Sequence, residues 1–405
     1  MVSGRANSAS ILRGFPFPVA MILLVAFLLL VGCGGGGGGG QGGGEDPIRL
    51  GVILPYSGVY AQLGEDITDG MNVYFEEQGN EIAGRPVELI QEDTEADPQV
   101  GVEAARTLIE RDEVAVLTGT VSSAVAYGVI DLVSADQIPF VISNATGNDA
   151  TRRGVPYVFR TSASSWQVSY PMGQYLVDNG VENVYVTAPD YAAGQEQASG
   201  FREGFAAAGG NLIGEAYPPL GNSDYSTYLT NISQASPQAE WSFYAGTDAV
   251  NFVRQYAEAG LKESIPLYGS GYMVEADTIE GQGEAAAGVR TGLFYASGLD
   301  NPENTAFIEN FQSQFERDPS TYAVQGYDAA WLIGEALKAT EGDTDPDALV
   351  EAMENVEFAS PRGPLTLDEN HNPIQNIYIR EAQEQNGTIE NVVIDTIEDV
   401  QDPGE

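Results

Sequence analysis

Polar and aromatic residues follow the ends of several predicted strands in the first half of the chain. They are Tyr60, Ser122, Ser123, Asn144 and Thr146, with Ala145 between the last two. Ligands of open α/β sheets bind at the carboxyl ends of the strands, so these residues predict a binding site there. Hydroxyl groups and the free N–H groups of a helix start suit a carboxylate, which favours an anionic ligand near Ser122 and Ser123. The same two serines could equally serve only as helix caps.

A second group of such residues lies beyond residue 165. Tyr191, Thr247, Asp248 and Tyr272 each follow a predicted strand, and Trp166 follows a segment that is expected to pass between two domains. The aromatic side chains could form the wall of a ligand cleft, although a tryptophan at a domain junction is equally typical of a core. Asp248 could pair with a cationic group of a ligand, or it could cap the helix that begins there.

Residues for enzyme catalysis are scarce. His371 is the only histidine and lies in the turn-like run Asp368-Glu-Asn-His-Asn-Pro373, where we expect it to be solvated. The sequence contains no Gly-x-Ser-x-Gly elbow, no phosphate-binding Gly-x-x-x-x-Gly-Lys run and no zinc or calcium motif. A single cysteine and a single histidine are too few for an ordinary zinc site. The sequence therefore favours a binding protein without catalytic residues, cofactor or metal.

The elements that must position these residues alternate between short apolar runs and amphipathic stretches. From Arg49 onward this alternation predicts βα units around mainly parallel sheets. It restarts after Thr161, which predicts an α/β fold with two Rossmann-like lobes. We expect an N-terminal lobe of residues 48–164 and 295–370, a C-terminal lobe of residues 165–294 and 371–397, and an acidic tail of residues 398–405.

The chain begins with a pattern typical of a secretion signal. Arg5 and Arg13 precede an apolar run of about fifteen residues, which is short for a membrane span. The run ends in Leu30-Val-Gly-Cys33, which resembles a bacterial lipobox, so we expect removal of residues 1–32 and a lipid on Cys33. Residues 33–47 are mostly glycine and predict a flexible tether to a membrane surface. A single membrane-spanning anchor that ends in an incidental cysteine is the alternative.

The composition is strongly acidic. The chain has 59 acidic and 17 basic residues, for a formal net charge of −42, and only Lys262 and Lys338 are lysines. This charge excludes nucleic acid as a partner. Uniform acidity with few lysines indicates adaptation to high salt, where screening reduces the repulsion between like charges. Because Cys33 is the only cysteine, the fold must be stable without an intramolecular disulfide.

Seven short motifs run along most of the chain. They are, in order, Gly51-Val-Ile-Leu-Pro-Tyr-Ser-Gly58, Gly84-Arg-Pro-Val-Glu-Leu89, Asp97-Pro98, Gly119-Thr-Val-Ser-Ser123, Phe159-Arg-Thr161, Asp190-Tyr191-x-x-Gly194 and Gly326-Tyr-Asp-Ala-Ala330. Their order and spacing resemble the branched-chain amino acid-binding (leucine/isoleucine/valine-type) family of ABC transporter receptors, from Ile48 to Ile394. The resemblance implies a type I periplasmic-binding fold, with three hinge crossings near Thr161–Ser165, Phe294–Gly298 and Leu367–Asn376.

The resemblance also implies roles for individual residues. In that family, residues that match Ser123 and Thr146 hold a ligand carboxylate, and the residue that matches Asn144 offers its backbone carbonyl to an ammonium group. The resemblance implies an extracytoplasmic, lipid-anchored and monomeric receptor that delivers a branched-chain or related amino acid to an ABC permease. Closure of the hinge would bring Tyr191, Thr247 and Tyr272 over the ligand.

Three positions depart from the family pattern. The acidic residue that pairs with the ammonium group would fall near Gly271, and family tyrosines would fall at Leu63 and Ala193. An ammonium group buried without an anionic partner costs free energy. The aromatic residues of the second group look like a variant of the family that binds aromatic carboxylates, other small acids or amides, which is the alternative ligand class. A sensory module with the same fold is the alternative to transport.

We expect the stability of the mature chain to depend on salt. The midpoint of thermal unfolding should rise by about 10 °C or more between 0.1 M and 3 M KCl, because screening weakens the repulsion among the acidic side chains. Differential scanning calorimetry measures the shift, with sucrose as a control that does not screen charge. A cooperative transition at the same midpoint in both salt concentrations would contradict adaptation to high salt.

Overall fold

The fold is described from a computed structural model that covers residues 46–385 and 387–404. The predicted signal segment, Cys33 and the glycine run of the tether lie outside these residues. Within the described ranges, no helix combines the length and the apolar character that a membrane crossing needs.

A six-stranded sheet forms the centre of the first lobe. Its strands are β1 (Ile48–Leu54), β2 (Glu81–Ile82), β3 (Arg85–Asp93), β4 (Val116–Gly119), β5 (Phe140–Ile142) and β6 (Val158–Arg160). They lie in the order β2-β3-β1-β4-β5-β6, and all neighbours are parallel except β2 and β3. The helices of this lobe are α1 (Ala61–Glu77), α2 (Pro98–Glu110), α3 (Ser123–Asp136), α4 (Asp149–Arg152), α10 (Pro302–Phe315), α11 (Thr321–Ala339) and α12 (Pro346–Met353).

The second lobe is built on a larger sheet. Its strands are β7 (Asn183–Thr187), β8 (Asn211–Ala216), β9 (Ala239–Ser242), β10 (Leu267–Ser270), β11 (Arg290–Leu293), β12 (Leu365–Leu367), β13 (Pro373–Gln385) and β14 (Thr388–Val400). Strands β7 to β11 pair in parallel, whereas β12, β13 and β14 are antiparallel. The helices are α5 (Ser165–Asp178), α6 (Ala192–Ala207), α7 (Ser226–Ala235), α8 (Gly246–Glu258) and α9 (Ala276–Gln282). The α/β class with two mainly parallel sheets is confirmed.

Two helix starts have a clear local cause. The Asp97 carboxylate accepts hydrogen bonds from the next two free N–H groups, and Pro98 occupies the first position of α2, as the sequence predicts. Ser164 and Gln167 form a reciprocal capping box at the start of α5. These caps fix the residues at which α2 and α5 begin.

Two glycines allow α1 and α11 to touch through their backbones. A Cβ atom on Gly70 would lie 1.8 Å from the carbonyl oxygen of Ala323, and one on Gly326 would lie 1.9 Å from that of Ile67. Any larger residue at either position would push the two helices apart. The close contact fixes α11, which also packs on β4 and β5, against the sheet of the first lobe.

The chain passes between the lobes three times. The first crossing follows β6 and the second follows β11, at the segments that the sequence predicts. The third crossing precedes β12, because Leu365–Leu367 already pairs with β13 in the second sheet. We expected this crossing at Leu367–Asn376 and residues 365–367 in the first lobe. Leu365-Thr-Leu367 has a polar residue at its centre and therefore lacks the continuous apolar run that marks a short buried strand in the sequence.

His371 is packed and is not the solvated turn residue that we expected. Its ring stacks on Phe159, with ring centroids 4.0 Å apart. Its Nδ1 lies 3.1 Å from the carbonyl oxygen of Val158, and its Nε2 lies 3.1 Å from Glu354 Oε1. The turn before β13 is therefore attached to β6 of the first lobe.

The acidic C-terminal segment belongs in part to the folded lobe. Strand β14 extends to Val400, and Asp402 is buried beyond it. Asp402 accepts hydrogen bonds from Arg152 Nε at 2.7 Å and from Ser164 Oγ at 2.5 Å. We expected residues 398–405 to form an acidic tail outside both lobes, because their charge pattern does not reveal an arginine partner so distant in the sequence.

Glu240 on β9 is fully buried. Its Oε1 accepts a hydrogen bond from Ser242 Oγ at 3.1 Å, whereas its Oε2 has no partner among the described residues. Burial raises the pKa of Glu240 well above its ordinary value, which favours the neutral form of the carboxyl group in the folded protein.

We expect Glu240→Gln to stabilise the protein at neutral pH. Because the folded-state pKa is raised, the stability contributed by Glu240 is present below its unfolded pKa of about 4.3 and is lost as pH rises toward the folded value. Glutamine keeps the shape and cannot ionise, so the free energy of unfolding at pH 7 should rise by about 1–3 kcal/mol. The gain should disappear near pH 4.

Chemical denaturation between pH 4 and pH 8 in molar KCl measures this effect. Glu203→Gln, an exposed position on α6, controls for the removal of one negative charge. A Glu240→Gln protein that is no more stable than the control at pH 7 would contradict the prediction, because it would show that the buried carboxyl group does not lower the free energy of unfolding.

Candidate ligand-binding site

A cavity lies between the two lobes, at the carboxyl ends of their parallel strands. Its lining residues are Tyr60, Leu63, Val121, Asn144, Thr146, Tyr191, Ala193, Phe243, Ala245, Tyr272 and Tyr322. The free space among these residues is about 290 Å³. This figure includes space that is open to solvent, so the cavity suits only a compact ligand.

A strained turn before α3 forms part of the wall in the first lobe. Thr120 has a φ angle of +64°, a left-handed conformation that β-branched residues rarely adopt. Its N–H donates to the carbonyl of Ile53 at 2.8 Å, and its own carbonyl accepts from the N–H of Ala145 at 2.9 Å. Strain of this kind is frequent at ligand sites. Here it places Val121 on the cavity, next to the first turn of α3.

The first turn of α3 has unused hydrogen-bond donors. Ser122 occupies the N-cap position, but its side chain makes no capping hydrogen bond. The hydroxyl oxygen of Ser123 is buried and has no partner in the described part of the chain. The first N–H groups of a helix have no partner within the helix and carry partial positive charge. This helix start can therefore bind an anionic group without a charged side chain.

Thr146 and Asn144 lie on the loop after β5, and their neighbours orient them. Thr146 Oγ1 accepts a hydrogen bond from Ser165 Oγ at 2.9 Å, so its own hydroxyl hydrogen remains available to the cavity. Asn144 Nδ2 donates to Gln325 Oε1 at 2.7 Å, and Gln325 Nε2 donates to Tyr272 Oη at 3.4 Å. This series of hydrogen bonds connects the first lobe to the second beside the cavity.

Aromatic rings from both lobes close the rest of the cavity. Tyr60 Oη donates to Tyr191 Oη at 3.1 Å, which is a direct contact between the lobes. Phe243 lies edge-on to Tyr272 with centroids 6.3 Å apart, and Tyr272 stacks on Tyr322 at 6.0 Å. Burial raises the pKa of all four tyrosines, so their hydroxyl groups are neutral. Such rings can hold a planar apolar group and bind its polar substituents.

None of the described lining residues carries a formal charge. Asp248 is buried but does not line the cavity, and its Oδ2 accepts a hydrogen bond from the N–H of Gly221 at 2.9 Å. Burial raises the pKa of Asp248 to about 6, and the Gly221 hydrogen bond opposes this shift. The charge of Asp248 also acts on Tyr60 and Tyr191. Its carboxyl group therefore lies close to the tyrosine pair.

Five of the residues predicted from the sequence line this one cavity. They are Tyr60, Asn144, Thr146, Tyr191 and Tyr272. Ser122, Ser123 and Ala145 are buried next to lining residues, and Asp248 lies near the tyrosine pair. Trp166 instead stacks on Tyr170, with centroids 4.3 Å apart, and Thr247 is exposed. Position after a strand identifies the loops of the site, but not which side chains turn toward the ligand.

Six lining residues were not among the predicted site residues. They are Leu63, Val121, Ala193, Phe243, Ala245 and Tyr322. The family resemblance could have identified Leu63 and Ala193, since it places tyrosines at these two positions. Tyr322 is the second residue of α11 and reaches the cavity from the start of that helix. It does not follow a strand, so its position in the sequence gives no indication that it lines the site.

Gly271 has no room for a side chain. A Cβ atom there would lie 2.3 Å from Leu293 Cβ and 2.5 Å from Arg380 Nη2. The carbonyl of Gly271 accepts a hydrogen bond from Arg380 Nη2 at 2.9 Å. The position at which the resemblance places the acidic partner of an ammonium group is therefore filled by neighbouring side chains.

Comparisons with known proteins agree with this architecture. A family model described as periplasmic binding protein matches residues 47–388. The chain is 33% identical over 366 residues to the Leu/Ile/Val-binding protein homolog 6 of Brucella melitensis, which covers 89% of this chain and 94% of that protein.

Solved structures of solute-binding proteins are also similar. One, from an ABC transporter of R. palustris in complex with benzoate, is 35% identical and has a TM-score of 0.82, over 87% of this chain and 98% of that chain. Another, from Rhodopseudomonas palustris BisB5 in complex with 3,4-dihydroxy benzoic acid, is 33% identical and has a TM-score of 0.85, over 88% and 99% of the two chains.

Proposed function

The chain belongs to the periplasmic binding protein family, and from this premise we propose that its ligand is a small aromatic carboxylate of the benzoate class. As a solute-binding protein of an ABC transporter, it acts outside the cytoplasm, binds a small molecule and works with a membrane permease. One observation carries the proposed ligand class. The cavity is compact and aromatic, and it combines an uncapped helix start with described lining residues that carry no charge.

The ligand carboxylate is proposed to bind at the first turn of α3. Ser123 Oγ and Thr146 Oγ1 would each donate a hydrogen bond, and the N–H groups of the helix start would supply the remaining donors. Hydrogen bonds to a charged acceptor are about twice as strong as neutral ones. A carboxylate can therefore enter this site without an arginine or lysine.

The aromatic ring is proposed to lie among Tyr191, Phe243 and Tyr272. Their rings already contact one another in edge-on and stacked arrangements, which are the geometries that aromatic pairs prefer. The two similar structures that hold benzoate and 3,4-dihydroxy benzoic acid support this ligand class. The Tyr60 and Tyr191 hydroxyl groups would bind a polar substituent of the ring.

A branched-chain amino acid is the second candidate. The relative named Leu/Ile/Val-binding protein homolog 6 favours it, and the buried Asp248, whose charge acts on Tyr60 and Tyr191, would replace the missing ammonium partner. Asp248 does not line the cavity, however, and its Oδ2 already accepts a hydrogen bond from Gly221. We therefore place the aromatic carboxylate first.

Binding is proposed to close the hinge. The ligand would first contact Ser123 and Thr146 on the first lobe, and the second lobe would then bring Tyr191 and Tyr272 over it. Closure excludes water and strengthens every polar contact in the cavity. The closed receptor would then present its ligand to the permease.

We expect benzoate to bind the wild-type protein and Ser123→Ala to weaken binding by about 10- to 100-fold, because one charge-assisted hydrogen bond is lost. Isothermal titration calorimetry in molar KCl with benzoate, 4-hydroxybenzoate, leucine and valine measures the affinities.

Thr247→Ala is the matched control, because Thr247 is exposed and lies outside the cavity. It should leave benzoate binding unchanged, as should Asp248→Asn. Binding of leucine or valine without binding of benzoate would overturn the aromatic ligand class. Loss of leucine binding in Asp248→Asn would then assign that carboxyl group to the ammonium.

We also propose that Cys33 carries a lipid and that residues 33–47 tether a monomeric receptor to a membrane. Support comes from the lipobox-like Leu30-Val-Gly-Cys33 and the glycine run that follows it. A glycine-rich sequence of about thirteen residues would reach roughly 20 Å as a random coil, enough to keep the folded lobes near a membrane surface.

When the full-length chain is expressed in a bacterial host, we expect it to partition into the detergent phase of Triton X-114, and Cys33→Ser to partition into the aqueous phase. Mass spectrometry of the N-terminal peptide of the wild type should show a diacylglyceryl group on Cys33. A wild type found only in the aqueous phase, or a Cys33→Ser variant found in the detergent phase, would contradict the lipid anchor.

A further inference from the structure

A carboxylate of the second lobe contacts two separate segments of the first lobe beside the cavity. Glu196 Oε1 accepts a hydrogen bond from Tyr127 Oη at 2.5 Å. Glu196 Oε2 accepts one from the backbone N–H of Asn148 at 2.6 Å. A carboxylate that accepts a hydrogen bond on each oxygen from two segments connects them more firmly than a single contact would.

Each of the three residues lies close in sequence to a residue of the candidate site. Tyr127 is one turn of α3 after Ser123, and Asn148 is two residues after Thr146. Glu196 is about one turn of α6 after Tyr191 and Ala193, which line the cavity. The contact therefore joins the segment that closes over the ligand to both segments that would hold the ligand carboxylate.

Two neighbouring residues, Gly147 and Asn148, support this contact. A Cβ atom on Gly147 would lie 2.4 Å from Tyr127 Oη, so a larger residue there would displace the hydroxyl group from Glu196. The side chain of Asn148 makes a second contact with the second lobe, since its Oδ1 accepts a hydrogen bond from the N–H of Trp166 at 3.0 Å. The backbone of Trp166 thus takes part in this contact, outside the cavity.

Glu196 lies on the second lobe and both of its hydrogen-bond partners lie on the first, so the contact forms only when the lobes are together. Burial raises the pKa of Glu196, and its two hydrogen bonds and the charge of Arg160 oppose that shift, whereas Asp149 adds to it. When the lobes separate, Glu196 returns to water and Tyr127 loses its acceptor. The contact can therefore contribute to the closed state only.

We propose that Glu196 is a closing latch, a positioning residue that stabilises the closed state by binding Tyr127 and Asn148 and does not touch the ligand. The apparent affinity for a ligand falls with the fraction of protein that can reach the closed state. The latch therefore sets the affinity for every ligand of the cavity by the same factor. This proposal rests on the hinge closure described under the proposed function.

Glu196→Gln tests the latch. We expect the apparent affinity for benzoate to fall by about tenfold or more, because an uncharged amide cannot accept both hydrogen bonds. Affinities for benzoate and 4-hydroxybenzoate should fall by the same factor, and the melting temperature of the unliganded protein should not change. Tyr127→Phe should act in the same direction. The double variant should lose less than the sum of the two, because both changes remove one shared contact.

Glu203→Gln is the matched control, because it lies on the same helix and is exposed. It should bind benzoate as the wild type does. Wild-type affinity in Glu196→Gln would overturn the latch. A fall in affinity that is matched by a lower melting temperature of the unliganded variant would also overturn it, since that result indicates a purely structural role.

The proposal of the latch and the proposal of the ligand class can be contradicted independently of each other. If benzoate does not bind the wild type, the proposed ligand is wrong, and leucine becomes the probe for the same comparison. If neither binds, spin labels on exposed positions of α2 and α7 report the distance between the lobes in the unliganded full-length chain. Glu196→Gln should then shift the distances toward the open state, and identical distributions for the variant and the wild type would overturn the latch.

Discussion

Hydrogen bonds from three buried arginines at the junction of the lobes are the interactions on which the rest of the structure depends. They are Arg160, Arg362 and Arg380, each at most 1% exposed. Arg362 Nη1 donates to the carbonyl of Ser162 in the first crossing at 3.2 Å, and Arg380 Nη1 donates to that of Tyr295 in the second at 2.8 Å. Segments that pass between two sheets lack neighbouring strands to satisfy their carbonyl groups, and a planar guanidinium group can replace them. The crossings are therefore held in place without a continuous sheet between the lobes.

Arg160 also couples this junction to the candidate site. Its Nε donates to Asn372 Oδ1 at 2.7 Å, in the turn that leads into β13, and its Nη1 donates to the carbonyl of Gly147 at 2.6 Å. Gly147 directly follows Thr146, so one buried side chain contacts both the junction and the loop that carries a proposed carboxylate donor. A change in the angle between the lobes and a change in the position of that donor are thus physically connected. This connection explains how a ligand that prefers one arrangement of the donor can shift the balance between open and closed lobes.

Local patterns in the sequence were enough for the fold class and for the loops of the site, but not for the side-chain contacts. The alternation of apolar runs predicts β5 at Phe140–Ile142, as observed, because a buried parallel strand is apolar throughout its length. The rule that ligands bind at the carboxyl ends of parallel strands brings Tyr60, Tyr191 and Tyr272 to one cavity, because those ends lie at the same edge of a sheet. It fails for Thr247, since it identifies a loop and not the direction of a side chain. Contacts between residues hundreds of positions apart, such as that of Asp402, follow from tertiary packing and leave no local pattern.

The distribution of positive charge connects the junction to the acidity of the chain. Of the 17 basic residues in the sequence, the three arginines at the junction are buried, and Arg152 and Arg317 lie in ion pairs with the buried carboxylates of Asp402 and Asp66. Few cations are then left to balance the acidic side chains on the surface. Salt screens exposed charges strongly and buried pairs only weakly. High salt would therefore relieve the repulsion on the surface while leaving the arginine contacts of the junction intact, so an acidic exterior and a junction held by arginine can coexist in one fold.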